Sequence, residues 1–169
     1  MRLFIAIRLS DEIKAGLSSV QSFLKNHGVR GNFTKLENLH LTLAFIGEYA
    51  DPERVLDAMR SIPFEPFQIR LEGFGSFGAL YWCGLGESAA LSAYAKRLRR
   101  ALAESGIPFD RKKFSPHITL IRRASFDKSR GFPGVAVPDI SMKAGRVSLM
   151  RSDRAKGGMI YMEIGQVFG

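Results

Sequence analysis

The pattern histidine, any residue, threonine, apolar residue occurs twice in this chain, as His40-Leu41-Thr42-Leu43 and as His117-Ile118-Thr119-Leu120. The sequence holds only three histidines and three threonines, and two of each stand in this spacing. Each copy alternates polar and apolar residues, the period of a half-buried strand. Residues two apart on a strand share a face. Each copy therefore sets one imidazole beside one hydroxyl and turns Leu41, Leu43, Ile118 and Leu120 toward a core. Two such pairs facing each other would place two acid–base groups and two hydrogen-bond donors around one small anion. The histidines lie 77 positions apart, close to half the chain, so the copies suit equivalent halves. The residues around them match poorly, so an internal repeat is suggested by the spacing alone.

The remaining pattern surrounds these strands with helices. A first strand runs from Leu3 to Leu9, and Ser10 suits the cap of a helix whose stripe is Ile13, Leu17, Val20 and Leu24, ended at Gly28. A polar loop leads to the strand Leu39 to Ile46. Asp51-Pro52 opens a second helix with Val55, Leu56 and Met59 inward. Strands follow near Phe67 to Leu71 and Ala79 to Leu85. A helix from Ser88 to Glu104 turns Leu91, Tyr94, Ala95, Leu98 and Leu102 inward. Segments Ser141 to Leu149 and Met159 to Phe168 read as a closing hairpin, with Arg151, Arg154, Lys156 and a Gly-Gly pair in its turn. Adjacent strands interrupted by helices predict an α+β fold with mainly antiparallel sheets.

Length bounds the chain to one domain, 1–169, or two small lobes sharing a core. Its 46% hydrophobic and 24% charged residues fit a globular chain and argue against disorder. The short apolar opening is followed at once by Asp11 and Glu12, which fits a strand and not a signal peptide. No stretch reaches membrane-spanning length, so no membrane partner is expected. Cys83 is alone, so no disulfide framework and a cytoplasmic setting are expected. The formal charge is +9, and eleven basic residues fall between Lys96 and Arg130, which favours a polyanion partner. A basic surface with no specific partner is the other reading.

Histidine exchanges protons near neutral pH. Two histidines across a phosphate can divide the work, one taking a proton from water while the other gives one to the departing oxygen. Threonine hydroxyls can donate to the non-bridging oxygens, where charge builds. No His-Glu-x-x-His, paired cysteines or acid cluster lies beside His40 or His117, so no metal and no cofactor is expected. His27, beside Gly28, reads as a capping or surface residue.

The stretches Asn38-Leu39-His40-Leu41-Thr42-Leu43-Ala44-Phe45-Ile46-Gly47-Glu48 and Ser115-Pro116-His117-Ile118-Thr119-Leu120-Ile121-Arg122 closely resemble the 2H phosphoesterase superfamily. Within it the chain is similar to the RNA 2′,3′-cyclic phosphodiesterases, also called 2′-5′ RNA ligases, nearly end to end. The resemblance implies a bilobal fold with pseudo-two-fold symmetry, two mainly antiparallel sheets around a central groove and helices outside. It implies hydrolysis of an RNA-terminal 2′,3′-cyclic phosphate to a 2′-phosphomonoester, with weak reversible 2′-5′ ligation. Carried over by motif, His40 is the proton donor, His117 the proton acceptor, and Thr42 and Thr119 hold the phosphate. The partner is an RNA or oligonucleotide with a cyclic phosphate end, and a monomer with no obligate protein partner is expected.

Several residues keep two readings. Arg122 stands where the family commonly has arginine and would compensate phosphate charge, yet strict alternation turns it off the His117 face. Phe45 suits the core, with base stacking as the other reading. Arg111, Lys112, Lys113 and Arg123 suit RNA backbone contacts or a solvated face. Gly73 to Gly78 matches G-x-G-x-x-G, but a strand and not a helix follows, so it reads as a flexible loop near the groove. Cys83 reads as an inert core thiol. Two other functions remain: a non-catalytic RNA- or nucleotide-binding module, and a 2H phosphodiesterase for small cyclic nucleotides or 2′-5′ oligoadenylates.

Overall fold

A computed structural model describes residues 1–169. Nine strands and three α-helices follow in the order β1 (Arg2–Arg8), α1 (Asp11–Asn26), β2 (Arg30–Phe33), β3 (His40–Glu48), α2 (Pro52–Arg60), β4 (Phe67–Phe77), β5 (Leu80–Leu85), α3 (Ala89–Glu104), β6 (His117–Ser125), β7 (Ser141–Ala144), β8 (Arg146–Ala155) and β9 (Gly158–Phe168). One sheet has the order β3-β1-β8-β9 and the other β2-β6-β5-β4-β7. All pairings are antiparallel, so the α+β class with two antiparallel sheets holds.

The two halves repeat. Helix α1 spans Asp11–Asn26 and α3 spans Ala89–Glu104, 78 positions on. Ser10 caps the first by accepting from Ile13 N, and Ser88 caps the second by accepting from Leu91 N. Strands β3 and β6 run His40–Glu48 and His117–Ser125, 77 positions apart. Each is hydrogen-bonded to the strand that precedes its lobe's helix, β1 or β5. The repeat that spacing only suggested is therefore a repeat of elements.

Burial follows the predicted stripes. Ile13, Leu17, Val20 and Leu24 of α1 are buried, as are Leu91, Tyr94, Ala95, Leu98 and Leu102 of α3. All but Ala95 belong to one cluster of 34 buried residues that draws on both sheets and all three helices. Removing such a side chain costs about 2–5 kcal/mol. Tyr94 is an exception worth testing. Its ring packs edge-on against Phe64, but its hydroxyl has no hydrogen-bond partner, and burial pushes its pKa up to about 12. Tyr94→Phe should leave stability within about 1 kcal/mol of the parent or raise it, because an unpaired buried hydroxyl only costs desolvation. A thermal unfolding midpoint measures this.

Four readings need correction. The polar loop after α1 contains β2, which the pattern missed because it is an exposed edge strand. The G-x-G-x-x-G stretch is not a flexible loop. Gly73 to Phe77 lie in β4, and Gly78 opens the turn to β5. The Trp82 ring lies over Gly75, where a Cβ would stand 2.4 Å from it, so glycine is required there by packing. The segment Ser141 to Leu149 is two strands in different sheets: β7 pairs with β4, β8 with β1 and β9, and Gly145 joins them. Arg151 and Arg154 lie on β8, leaving Lys156 and Gly157 in the turn.

Candidate active site

The two motif strands face each other across a cleft of about 520 Å³, lined by His40, Thr42, His117, Thr119 and Arg122. All five residues expected at the site therefore share one cavity. Phe45, Lys112 and Lys113 line it too. Arg111 does not, and its guanidinium lies over the Phe109 ring.

A β-bulge in each strand explains the company. Along β1 and β3, Ala6 pairs with Thr42 but Ile5 with Ala44, leaving Leu43 extra. Along β5 and β6, Trp82 pairs with Thr119 but Tyr81 with Ile121, leaving Leu120 extra. A bulge shifts the side-chain phase by one residue. Leu43 and Ala44 are both buried, and so are Leu120 and Ile121. The next residues, Phe45 and Arg122, then return to the histidine face. Strict alternation aimed Arg122 away from the cleft and Phe45 into the core. The bulge at Leu120 overturns the first expectation, while Phe45 is half-buried, packed against Phe4, Ala6 and Met150 and also lining the cleft.

At each bulge a helix side chain donates to the carbonyl of the extra residue, and the Leu120 carbonyl also accepts from Thr34 N at 2.9 Å. Gln21 of α1 donates Nε2 to the Leu120 carbonyl at 3.0 Å and to that of Thr34 at 2.9 Å. Arg99 of α3 donates Nε to the Leu43 carbonyl at 3.2 Å and another nitrogen to that of Lys112 at 2.7 Å. Gln21 and Arg99 stand 78 positions apart, at equivalent places in the two helices. Arg99 thus ties the first bulge to the loop that bears Lys112 and Lys113. Two of its nitrogens are committed to backbone carbonyls, and it lines the histidine cleft as well.

The histidines are held alike. His40 Nδ1 lies 2.7 Å from the Asn38 carbonyl, and His117 Nδ1 lies 2.7 Å from that of Ser115. A carbonyl only accepts, so Nδ1 carries the hydrogen on both rings and Nε2 is the reactive nitrogen. The His40 Nε2 lies 2.8 Å from Thr42 Oγ1, so the hydroxyl donates to the neutral ring.

Their surroundings differ. His40 packs against Phe4 and Tyr161, with ring centroids 4.9 and 5.3 Å away. Desolvation there lowers its pKa below the ordinary imidazole value; the Asn38 carbonyl opposes this, and the charges of Arg122 and His117 add to the lowering. His117 meets the edge of Phe77 at 5.1 Å and Trp82 at 6.3 Å. Sequence patterning missed Phe4, Tyr161, Phe77 and the buried Asn38, whose Nδ2 donates to the Met159 carbonyl. Their roles come from strands far apart in the chain. His27 caps α1, with Nδ1 2.8 Å from the Phe23 carbonyl. Cys83 is buried, and desolvation raises its pKa to about 12, which suits an inert thiol.

Residues 9–156 match the family described as the 2′-5′ RNA ligase superfamily. The chain is 30% identical to an RNA 2′,3′-cyclic phosphodiesterase of Thermotoga maritima, covering 95% of this chain and 91% of that one. It is 34% identical to the Escherichia coli enzyme of the same name over 73% of each. The crystal structure of E. coli LigT in complex with 3′-AMP superposes with a TM-score of 0.83 at 28% identity, over 99% of this chain and 97% of that one. A fold with paired His-x-Thr strands across one cleft, matched along most of its length, places this chain in the 2′-5′ RNA ligase superfamily of 2H phosphoesterases.

Proposed function

We propose that this chain hydrolyses the 2′,3′-cyclic phosphate at an RNA end to a 2′-phosphomonoester. The observation that carries the reading is the pair of histidines, each locked by a carbonyl so that Nε2 serves one cleft that also holds both threonines and an arginine. Water attacks phosphorus as His117 Nε2 takes its proton. The bond from phosphorus to the 3′ oxygen breaks, and protonated His40 Nε2 gives its proton to that oxygen. Thr42, Thr119 and Arg122 donate to the phosphate oxygens as charge gathers on them. With the 5′-hydroxyl of a second strand in place of water, the same groups in the same roles would form a 2′-5′ linkage as the bond from phosphorus to the 3′ oxygen breaks, with no nucleotide cofactor. Relatives named RNA 2′,3′-cyclic phosphodiesterase support the substrate class, and the +9 charge suits RNA.

The direct test is incubation, with chelator present, of an RNA oligonucleotide ending in a 2′,3′-cyclic phosphate. Conversion to a 2′-phosphate end is expected. Bound but unconverted RNA would point to a binding module instead, and conversion of mononucleotides alone to a small-nucleotide enzyme.

The donor role of His40 makes a pH prediction. Its pKa in the free protein is lowered, so the protonated form needed to give a proton is lost below the ordinary imidazole range. The limb of kcat/KM that falls with rising pH should therefore lie low, since kcat/KM reports the free enzyme. A bound phosphodiester anion favours the imidazolium, so the same limb in kcat should lie at higher pH. If kcat/KM instead rises with pH through that low value, His40 is the acceptor and the roles reverse.

A further inference from the structure

A second cleft, of about 580 Å³, opens beyond the β4–β5 turn. Gly78 and Ala79 of that turn line it, while their chain neighbours Phe77 and Leu80 line the histidine cleft. The same holds on β6, where Arg122 faces the histidine cleft and Ala124 the second one. Residues two apart on a strand are about 7 Å apart. Arg123 between them has φ 52°, in the left-handed region that non-glycine residues seldom occupy, so the backbone turns where one cleft gives way to the other.

The second cleft is walled by Tyr81, Phe126 and Phe132. Phe132 is 46% exposed, yet its orientation is set by other rings. It stacks on Phe74 with centroids 5.9 Å apart, and meets Tyr81 at 5.5 Å and Phe126 at 5.2 Å edge-on. Single exposed apolar residues are ordinary on protein surfaces. A braced ring with an open face beside a cleft is less so. Lys128 lines the same cleft, and no acidic side chain does. Aromatic walls with one cation suit a flat ring carried on an anionic backbone.

We propose that this cleft takes a base of the RNA strand upstream of the end held between His40 and His117. The proposal rests on the reading of the histidine cleft as an RNA-end phosphodiesterase. It makes the protein a reader of strand as well as of end, with preference for oligonucleotides over mononucleotides.

The experiment compares kcat/KM for adenosine 2′,3′-cyclic phosphate and for an adenosine tetranucleotide ending in the same ring, in the parent, Phe132→Ala and Phe132→Trp. Phe132→Ala should lose on the order of tenfold on the tetranucleotide, mainly through KM, and nothing on the mononucleotide. Phe132→Trp should keep the preference. A tetranucleotide with abasic upstream residues should show the same loss in the parent and no further loss in Phe132→Ala. Equal losses on both substrates, no loss on either, or an abasic strand as good as the intact one would overturn the proposal. If the parent turns over neither substrate, the phosphodiesterase reading fails, and titration of a tetranucleotide ending in a 2′-phosphate decides the cleft. Tenfold weaker binding by Phe132→Ala upholds it, and equal affinity sinks it.

Discussion

Replacing His40 or His117 by alanine is expected to cut turnover of a cyclic-phosphate RNA end by roughly 10²- to 10⁴-fold. The double variant should be little worse than either single one, because acid and base serve one step and their effects do not add. RNA binding should survive, since the basic lining at Arg122, Lys112 and Lys113 is untouched. The two singles separate by leaving group. A nitrophenyl phosphodiester departs without a proton, so His40→Ala should lose much less on it than on RNA, while His117→Ala loses on both. The opposite pattern would exchange the roles. Folding must be checked in both cases. His40 sits between Phe4 and Tyr161 and His117 against Phe77 and Trp82, so the loss of either ring leaves a gap. Unfolding midpoints read alongside the rates distinguish lost chemistry from lost structure.

What the sequence revealed of this site, and what it hid, follows from the range of the forces involved. The motif strands, the helix stripes and the serine caps are local, and each appears where the pattern puts it. The pairing of halves was visible only as a spacing, because the equivalent residues keep their places and not their identities: Gln21 answers to Arg99, and Phe45 to Arg122. The bulges left a trace that strict alternation passes over. In both copies the threonine is followed by at least two adjacent apolar residues, beginning Leu43-Ala44 and Leu120-Ile121, where regular alternation allows one. Strand β2 left almost none, since its residues are held by backbone hydrogen bonds and bury little. The break at Gly145 was hidden too, because apolar patterning does not say which of two sheets a strand joins. The aromatic beds of the histidines depend on long-range packing: Tyr161 reaches His40 from β9, and Phe77 reaches His117 from the end of β4.

Arg122 carries the second large prediction, because its place at the cleft depends on the extra residue at Leu120. Arg122→Ala should lower kcat about hundredfold, the scale of losing one donor to oxygens that gain charge in the transition state. A second readout ties the loss to this mechanism. The Arg122 charge is among the causes that lower the His40 pKa, so its removal should move the falling limb of kcat/KM to higher pH. Rate at low pH would drop while the usable pH range widened. Arg122→Lys keeps the charge but not the planar fork, so it should hold the limb in place and recover only part of the rate. A loss confined to KM, with the limb unmoved, would show instead that Arg122 grips the substrate at the rim and neither stabilises the transition state nor acts on His40.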